Sequence, residues 1–174
     1  MKDHAFNFAL LSTVGLLAMG VSAGLRLNLT DSAPLGIWLE APHTTLQRGM
    51  VVAVCPPAVP VVRTMLQQGY LAYGNCDGSV APLLKTVAAL PGDRVTLLRG
   101  SLVHVNGVPV PNTIAKPSLS AWPDGEYTVQ QNQLWIFSSY NATSFDSRYF
   151  GPVEFSAVRG EASPLLVDGN MEAL

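Results

Sequence analysis

From Ala5 to Gly24 the chain carries no charged side chain, and an apolar run of about twenty residues can cross roughly 30 Å of hydrocarbon as a helix. Whatever follows must then fold on one side of a membrane. The other reading is a cleaved signal peptide: Lys2 supplies a thin positive start and Val21-Ser22-Ala23 resembles a small-residue cleavage site. The run is longer than an ordinary signal-peptide core, which favours a retained anchor. Either way the chain divides into residues 1–25, an anchor or signal segment, and residues 26–174, one exported domain. Lys2 and Arg26 nearly balance across the run, so flanking charge adds little about orientation.

Composition agrees with a chain partly in lipid. Hydrophobic residues make up 48% and charged residues 13% of the 174, too apolar for disorder and rather apolar for a soluble protein. The 10 basic residues are scattered and offset by 12 acidic ones, so no basic stripe exists to hold a phosphate backbone and nucleic acid is not an expected partner. Cys55 and Cys76 are the only 2 cysteines. In an exported domain such a pair reads as a disulfide, and closing the loop would contribute about 3 kcal/mol. Two buried thiols or a metal half-site are the alternatives. Metal is the weaker of these, because the spacing fits no zinc pattern and His4, His43 and His104 are far apart.

Turn residues punctuate the remainder. Met50 to Cys55 is a β-branched run between Gly49 and Pro56 and reads as a buried strand, while Val61 to Gln68, between Pro60 and Gly69, reads as one short helix. Leu83 to Leu90 reads as a strand between prolines. Arg94 to Leu98, Leu102 to Val105 and Val108 to Val110 follow as a β-meander across tight turns. Lys116 to Gly125 reads as a loop covering one edge, Tyr127 to Gln130 pairs with Leu134 to Ser138, and the last dozen residues fray. The fold class expected is mostly β, a single β-domain with one N-terminal transmembrane helix and one short helix.

Two serines and one lysine stand out as candidates for chemistry. Gly20-Val21-Ser22-Ala23-Gly24 has the form of a hydrolase nucleophile elbow, but Ser22 ends a membrane helix instead of joining a strand to a helix. Ser32 stands among turn formers just past the membrane. Pro34 holds Ala33 extended and Gly36 permits close backbone approach, so the segment can present a hydroxyl to an extended peptide; an ordinary loop serine is the plainer reading. Lys85 is the one charge in Pro82-Leu83-Leu84-Lys85-Thr86-Val87-Ala88-Ala89-Leu90-Pro91. Alternation puts it on a face with Val87 and Ala89. In water its pKa of about 10.4 would leave it protonated, whereas burial disfavours the ammonium and frees the amine to act as a base. The plainer reading is an edge lysine that snorkels to water.

Taken together, these segments resemble the type I signal peptidases, and most closely the TraF-type peptidases of conjugal-transfer systems. Ser32 with Pro34, Gly36 and Trp38 looks like the nucleophile box, Lys85 with Leu90-Pro91-Gly92-Asp93 like the lysine box, and Ser144 to Val153, with Ser144, Asp146 and Arg148, like the C-terminal box. The resemblance implies a signal-peptidase-like β-domain in which Ser32 is the nucleophile and Lys85 the general base, with Asp146 also implicated in activity. It further implies that Thr30 assists the Ser32 N–H at the oxyanion, Ser144 orients the lysine amine, and Arg148 pairs with Asp146. A purely structural Asp146–Arg148 pair is the alternative. The sequence departs from general signal peptidases in lacking their methionine and spacer after Ser32, in having Ala89 for a usual glycine, and in having Ser138 to Ala142 where Gly-Asp-Asn is usual.

The expectation is therefore a serine endopeptidase in the bacterial inner membrane with its catalytic domain in the periplasm. The resemblance implies as substrate a pilin or other exported precursor, the conjugal-transfer apparatus as partner, and no metal or other cofactor. Ser32 lies within about 28 Å of Gly24 even on a fully extended tether, which suits a substrate whose apolar segment is still in the membrane. Hydrolysis and cyclisation of the product are both open. A catalytically silent scaffold of the transfer apparatus and an exported peptide-binding module are the rival readings.

Overall fold

The computed structural model describes residues 24–169. The apolar run up to Ala23, with the anchor or signal segment read from it and with Ser22, lies outside the described residues. Among the described residues no helix is long and apolar enough to cross a membrane.

Short β-branched runs separated by Gly, Pro and Asn turns yield eleven strands among the described residues: β1 (Leu25–Asn28), β2 (Leu35–Ala41), β3 (Val51–Val54), β4 (Leu83–Ala89), β5 (Arg94–Leu97), β6 (His104–Val105), β7 (Val108–Pro109), β8 (Gly125–Thr128), β9 (Gln133–Phe137), β10 (Val153–Glu154) and β11 (Val158–Asp168). Helix α1 (Pro60–Gln67) starts on a proline and is followed by Gly69 at φ +72°, the start and stop read from the sequence. A second helical turn, α2 (Ser147–Phe150), lies outside the sequence expectations. It forms because the Asp146 side chain accepts the Arg148 backbone N–H at its start and Gly151 ends it.

The strands form a seven-stranded antiparallel sheet, ordered β1-β2-β11-β3-β4-β9-β10, and a four-stranded one, ordered β7-β6-β5-β8. The expected meander is the run β5-β6-β7. The mostly-β class holds, with three corrections. β8 pairs with β5 and β9 with β4 and β10, so the two do not form a hairpin. Burial explains why: Leu134 to Phe137 are buried on both faces, as a central strand requires, whereas β8 alternates exposed and half-buried residues. The second correction is at the C-terminus. Residues expected to fray continue as β11 to Asp168, a strand wedged between β2 and β3. The third is a bulge between Val87 and Ala89. It turns Ala89 away from the face of Val87, so Lys85 shares its face with Val87 but not with Ala89.

Of three apolar clusters among the described residues, the smallest packs Ala33, Trp38, Val51 and Ala162, and the two larger ones hold the layers. One packs Val52, Val54, Val87 and Ile136 of the large sheet against Val62, Met65 and Leu66 of α1 and Tyr149 and Phe150 of α2. The other joins the sheets through Val95, Leu97, Trp135 and Phe137. Both clusters converge on β4 and β9.

Candidate active site

The β1–β2 connection is organised by Asn28, a residue that no sequence motif singles out. Asn28 is 6% exposed. Its Nδ2 donates to the carbonyls of Thr30, Ala33 and Pro34 at 3.0, 2.9 and 3.0 Å, and its Oδ1 accepts from the Thr30 N–H at 3.1 Å. An asparagine opening a turn can close it on its own side chain, and its place just before the Thr30–Pro34 turn is the signal that could have found it. Trp38 Nε1 also donates to the Pro34 carbonyl at 3.0 Å. Gly36 is needed for contact with β11, because a Cβ there would collide with the Leu166 carbonyl oxygen.

Ser32 stands on this loop, half-buried. Its Oγ is 3.2 Å from Thr30 Oγ1. Since Thr30 donates its hydroxyl proton to Asn28 Oδ1 at 2.9 Å, the Ser32 hydroxyl is the donor to Thr30.

Lys85 projects from β4 opposite Val52 and is 3% exposed. Burial lowers its pKa from 10.5 to about 8; the Asp146 carboxylate opposes this shift and the Arg148 guanidinium adds to it. Lysine so placed does not snorkel to water.

Asp146 and Arg148 lie behind the site, at 0% and 1% exposure. Arg148 donates from Nε to Asp146 Oδ1 and from Nη2 to Oδ2, each at 2.8 Å. Arg148 also donates to the carbonyls of Asn112, Ala142 and Ser144, tying two stretches of loop together. The expected ion pair is therefore present and bidentate. Burial alone would lower the Arg148 pKa, but the Asp146 carboxylate overrides it and the net shift is upward. Ser144 Oγ is buried with no hydrogen-bond partner, so the expected hydrogen bond from Ser144 to the lysine amine is not formed.

A cleft of about 670 Å³ brings together Ser32, Thr30, Lys85 and Ser144; Asp146 and Arg148 do not line it. Leu25 and Leu27 form one wall and Tyr70, Leu71 and Ala72 another. The second wall belongs to the loop closed by the Cys55–Cys76 disulfide, which is formed as expected, with Cα atoms 5.5 Å apart. Nothing in the sequence signals that Tyr70 to Ala72 face Ser32. A serine hydroxyl, a buried amine with its pKa lowered to about 8 and apolar walls are groups that suit attack on a peptide carbonyl.

Residues 11–166 match the family model described as signal peptidase, peptidase S26. The chain belongs to the signal peptidase S26 family. It is 41% identical over 155 residues to the conjugal transfer protein TraF of Agrobacterium tumefaciens (strain 15955), with 86% of each chain covered. Against the plasmid transfer protein TraF of Escherichia coli it is 31% identical over 157 residues, with 87% of each covered. A crystal structure of a signal peptidase I from Enterococcus faecalis V583 is similar at 19% identity and TM-score 0.42, covering 70% of this chain and 98% of that one.

This S26 peptidase also buries a second carboxylate. Asp93, in the Leu-Pro-Gly-Asp stretch after Lys85, is 4% exposed. Burial would raise its pKa, but hydrogen bonds from Arg48, the Leu90 N–H and Asn106 outweigh burial and hold the carboxyl below its usual range. Asp93 thereby braces the turn that ends the lysine strand. Among the described residues no cluster of ligands could hold a metal ion.

Proposed function

We propose that the chain is a Ser/Lys-dyad endopeptidase that removes the leader of an exported precursor, a pilin of a conjugation apparatus being the substrate that its resemblance to TraF-type peptidases implies. One observation carries this reading: an amine with its pKa lowered to about 8 lines the same cleft as a serine hydroxyl. With that pKa about one Lys85 in four is a free amine at pH 7.5, against about one in a thousand for an unperturbed lysine.

In the proposed reaction Ser32 Oγ attacks the scissile carbonyl as its proton passes to Lys85 Nζ. Collapse of the tetrahedral adduct breaks the C–N bond, the Lys85 ammonium protonates the leaving amine, and an ester to Ser32 remains. Water, deprotonated by Lys85, then releases the acyl group and restores the serine. The Ser32 N–H serves as an oxyanion donor, and the Thr30 hydroxyl joins it by turning its proton from Asn28 Oδ1 to the developing oxyanion. Asp146 acts through charge and position, since its two oxygens are taken by Arg148 and by the Ser138 N–H at 3.1 Å.

Membrane anchoring through residues 1–25, with catalysis on the periplasmic side, belongs to the same proposal. Leu27, Ile37 and Leu166 form one row across β1, β2 and β11, exposed by 65%, 37% and 71%, on the sheet edge into which the apolar run leads. Such a row supports contact with a bilayer surface.

The test is to mix the purified full-length chain, in detergent or vesicles, with a pilin precursor and weigh the products. Cleavage that disappears in Ser32→Ala and in Lys85→Ala is expected, and a product lighter by one water would identify cyclisation as the resolving step. Undiminished cleavage in Lys85→Ala would overturn the dyad. Retained precursor binding without cleavage by the intact chain would support the scaffold or peptide-binding reading.

A further inference from the structure

Ser138 is the first residue after β9, 1% exposed, at the start of the Ser138–Ala142 stretch that replaces the usual Gly-Asp-Asn. Its side-chain Oγ donates to the Ser32 carbonyl oxygen at 2.7 Å. Its backbone N–H donates to Asp146 Oδ2 at 3.1 Å. The β4–β9 register pairs Thr86 with Phe137, so the next step along each strand sets Ser138 beside Lys85. One buried residue thus touches the nucleophile's own peptide, the carboxylate behind the site and the strand that carries the base.

We infer that Ser138 is a positioning residue that fixes the reactive orientation of Ser32. The Asn28 bonds close the loop locally, onto Thr30, Ala33 and Pro34. Alone they leave the loop free to tilt as a unit relative to β4. The bond from Ser138 ties the Ser32 residue itself to the end of β9, a buried strand packed in both apolar clusters and 106 positions away in sequence. Fixing the Ser32 carbonyl fixes the plane of the peptide that follows it and restrains ψ at Ser32, and with it the direction in which the side chain leaves the backbone in the cleft it shares with Lys85. A glycine, which general signal peptidases carry in that stretch, has no hydroxyl to do this. The role contributes to rate through orientation rather than through chemistry, since Ser138 does not line the cleft and meets no substrate. It rests on the assignment of Ser32 as nucleophile.

The test compares the intact chain with Ser138→Ala, using Ser32→Ala as the inactive control. Cleavage kinetics on a precursor peptide should show kcat lowered about tenfold with KM unchanged, and a pH midpoint still near 8 because the Lys85 environment is kept. Hydrogen exchange, which needs no activity, should quicken in the segment spanning residues 29–36 while the β4 and β9 segments keep their protection. Wild-type kcat in Ser138→Ala, or unchanged exchange in residues 29–36, would overturn the inference. If the intact chain does not cleave, or Ser32→Ala still does, the dyad proposal fails instead, and exchange alone then decides whether Ser138 holds the loop.

Discussion

Burial holds Lys85 at about 8 when the unfolded chain would hold it at 10.5. The unfolded state therefore binds more protons between those two values, so stability rises with pH across that window and the full penalty is present below it. The penalty is on the order of 3 kcal/mol. Lys85→Met is expected to be inactive yet more stable at pH 7, by up to about 3 kcal/mol in urea titrations, with the gain vanishing above pH 10.5 where both states of the native chain are neutral. A variant no more stable than the parent would mean that Lys85 is not desolvated. Asp146 raises the Lys85 pKa, so its removal has the opposite sign. Asp146→Asn should move the midpoint of the pH–rate profile below 8. It should also destabilise the fold by about 3–5 kcal/mol, because Arg148 is left buried without its partner. Thermal melts and rate profiles on the folded fraction measure the two effects separately.

Among the elements, the segment between Cys55 and Cys76 carries both α1 and the Tyr70–Ala72 wall of the cleft. Replacing both cysteines by serine should cost about 3 kcal/mol of stability. The loss of activity should fall on KM more than kcat, because no proposed catalytic group lies on that segment; a change confined to kcat would show that the wall does more than bind. This element is legible in the amino-acid pattern, since prolines, Gly69 and the cysteine pair all mark its bounds. The same signals mislead where long-range pairing decides. The last dozen residues read as fraying, yet register shifts beside Gly160 and Pro164 let β11 continue to Asp168. In β2, by contrast, the close backbone approach read at Gly36 is present, because β11 passes against it. Of the proposed site, the ordered boxes around Ser32, Lys85 and Asp146 are legible as local patterns. Ser138 and Tyr70 are not, because their importance lies in partners that folding brings near: Ser138 with Ser32, and the Tyr70 hydroxyl with the Thr143 carbonyl.

At the scale of the whole molecule, the cleft opens beside β1, the strand that directly follows the apolar run. If the run lies in a bilayer, the leucines and isoleucine of β1, β2 and β11 stand at its surface, and the protein is held there by two signals instead of one. Burying an exposed leucine or isoleucine is worth about 1.5–3 kcal/mol when complete, so partial insertion of two such side chains changes membrane partition by about tenfold or more. Ile37 and Leu166 are suited to the test because neither lines the cleft. A chain truncated to residues 24–174 and carrying Ile37→Ser with Leu166→Ser is expected to co-sediment with phospholipid vesicles at least about tenfold less than the same truncated chain without them. Its cleavage of a soluble precursor peptide should be unchanged, while cleavage of a precursor held in vesicles should fall in step with the lost binding. Equal sedimentation of the two chains would assign the exposed row to something other than lipid, and the tether alone would then have to bring Ser32 to its substrate.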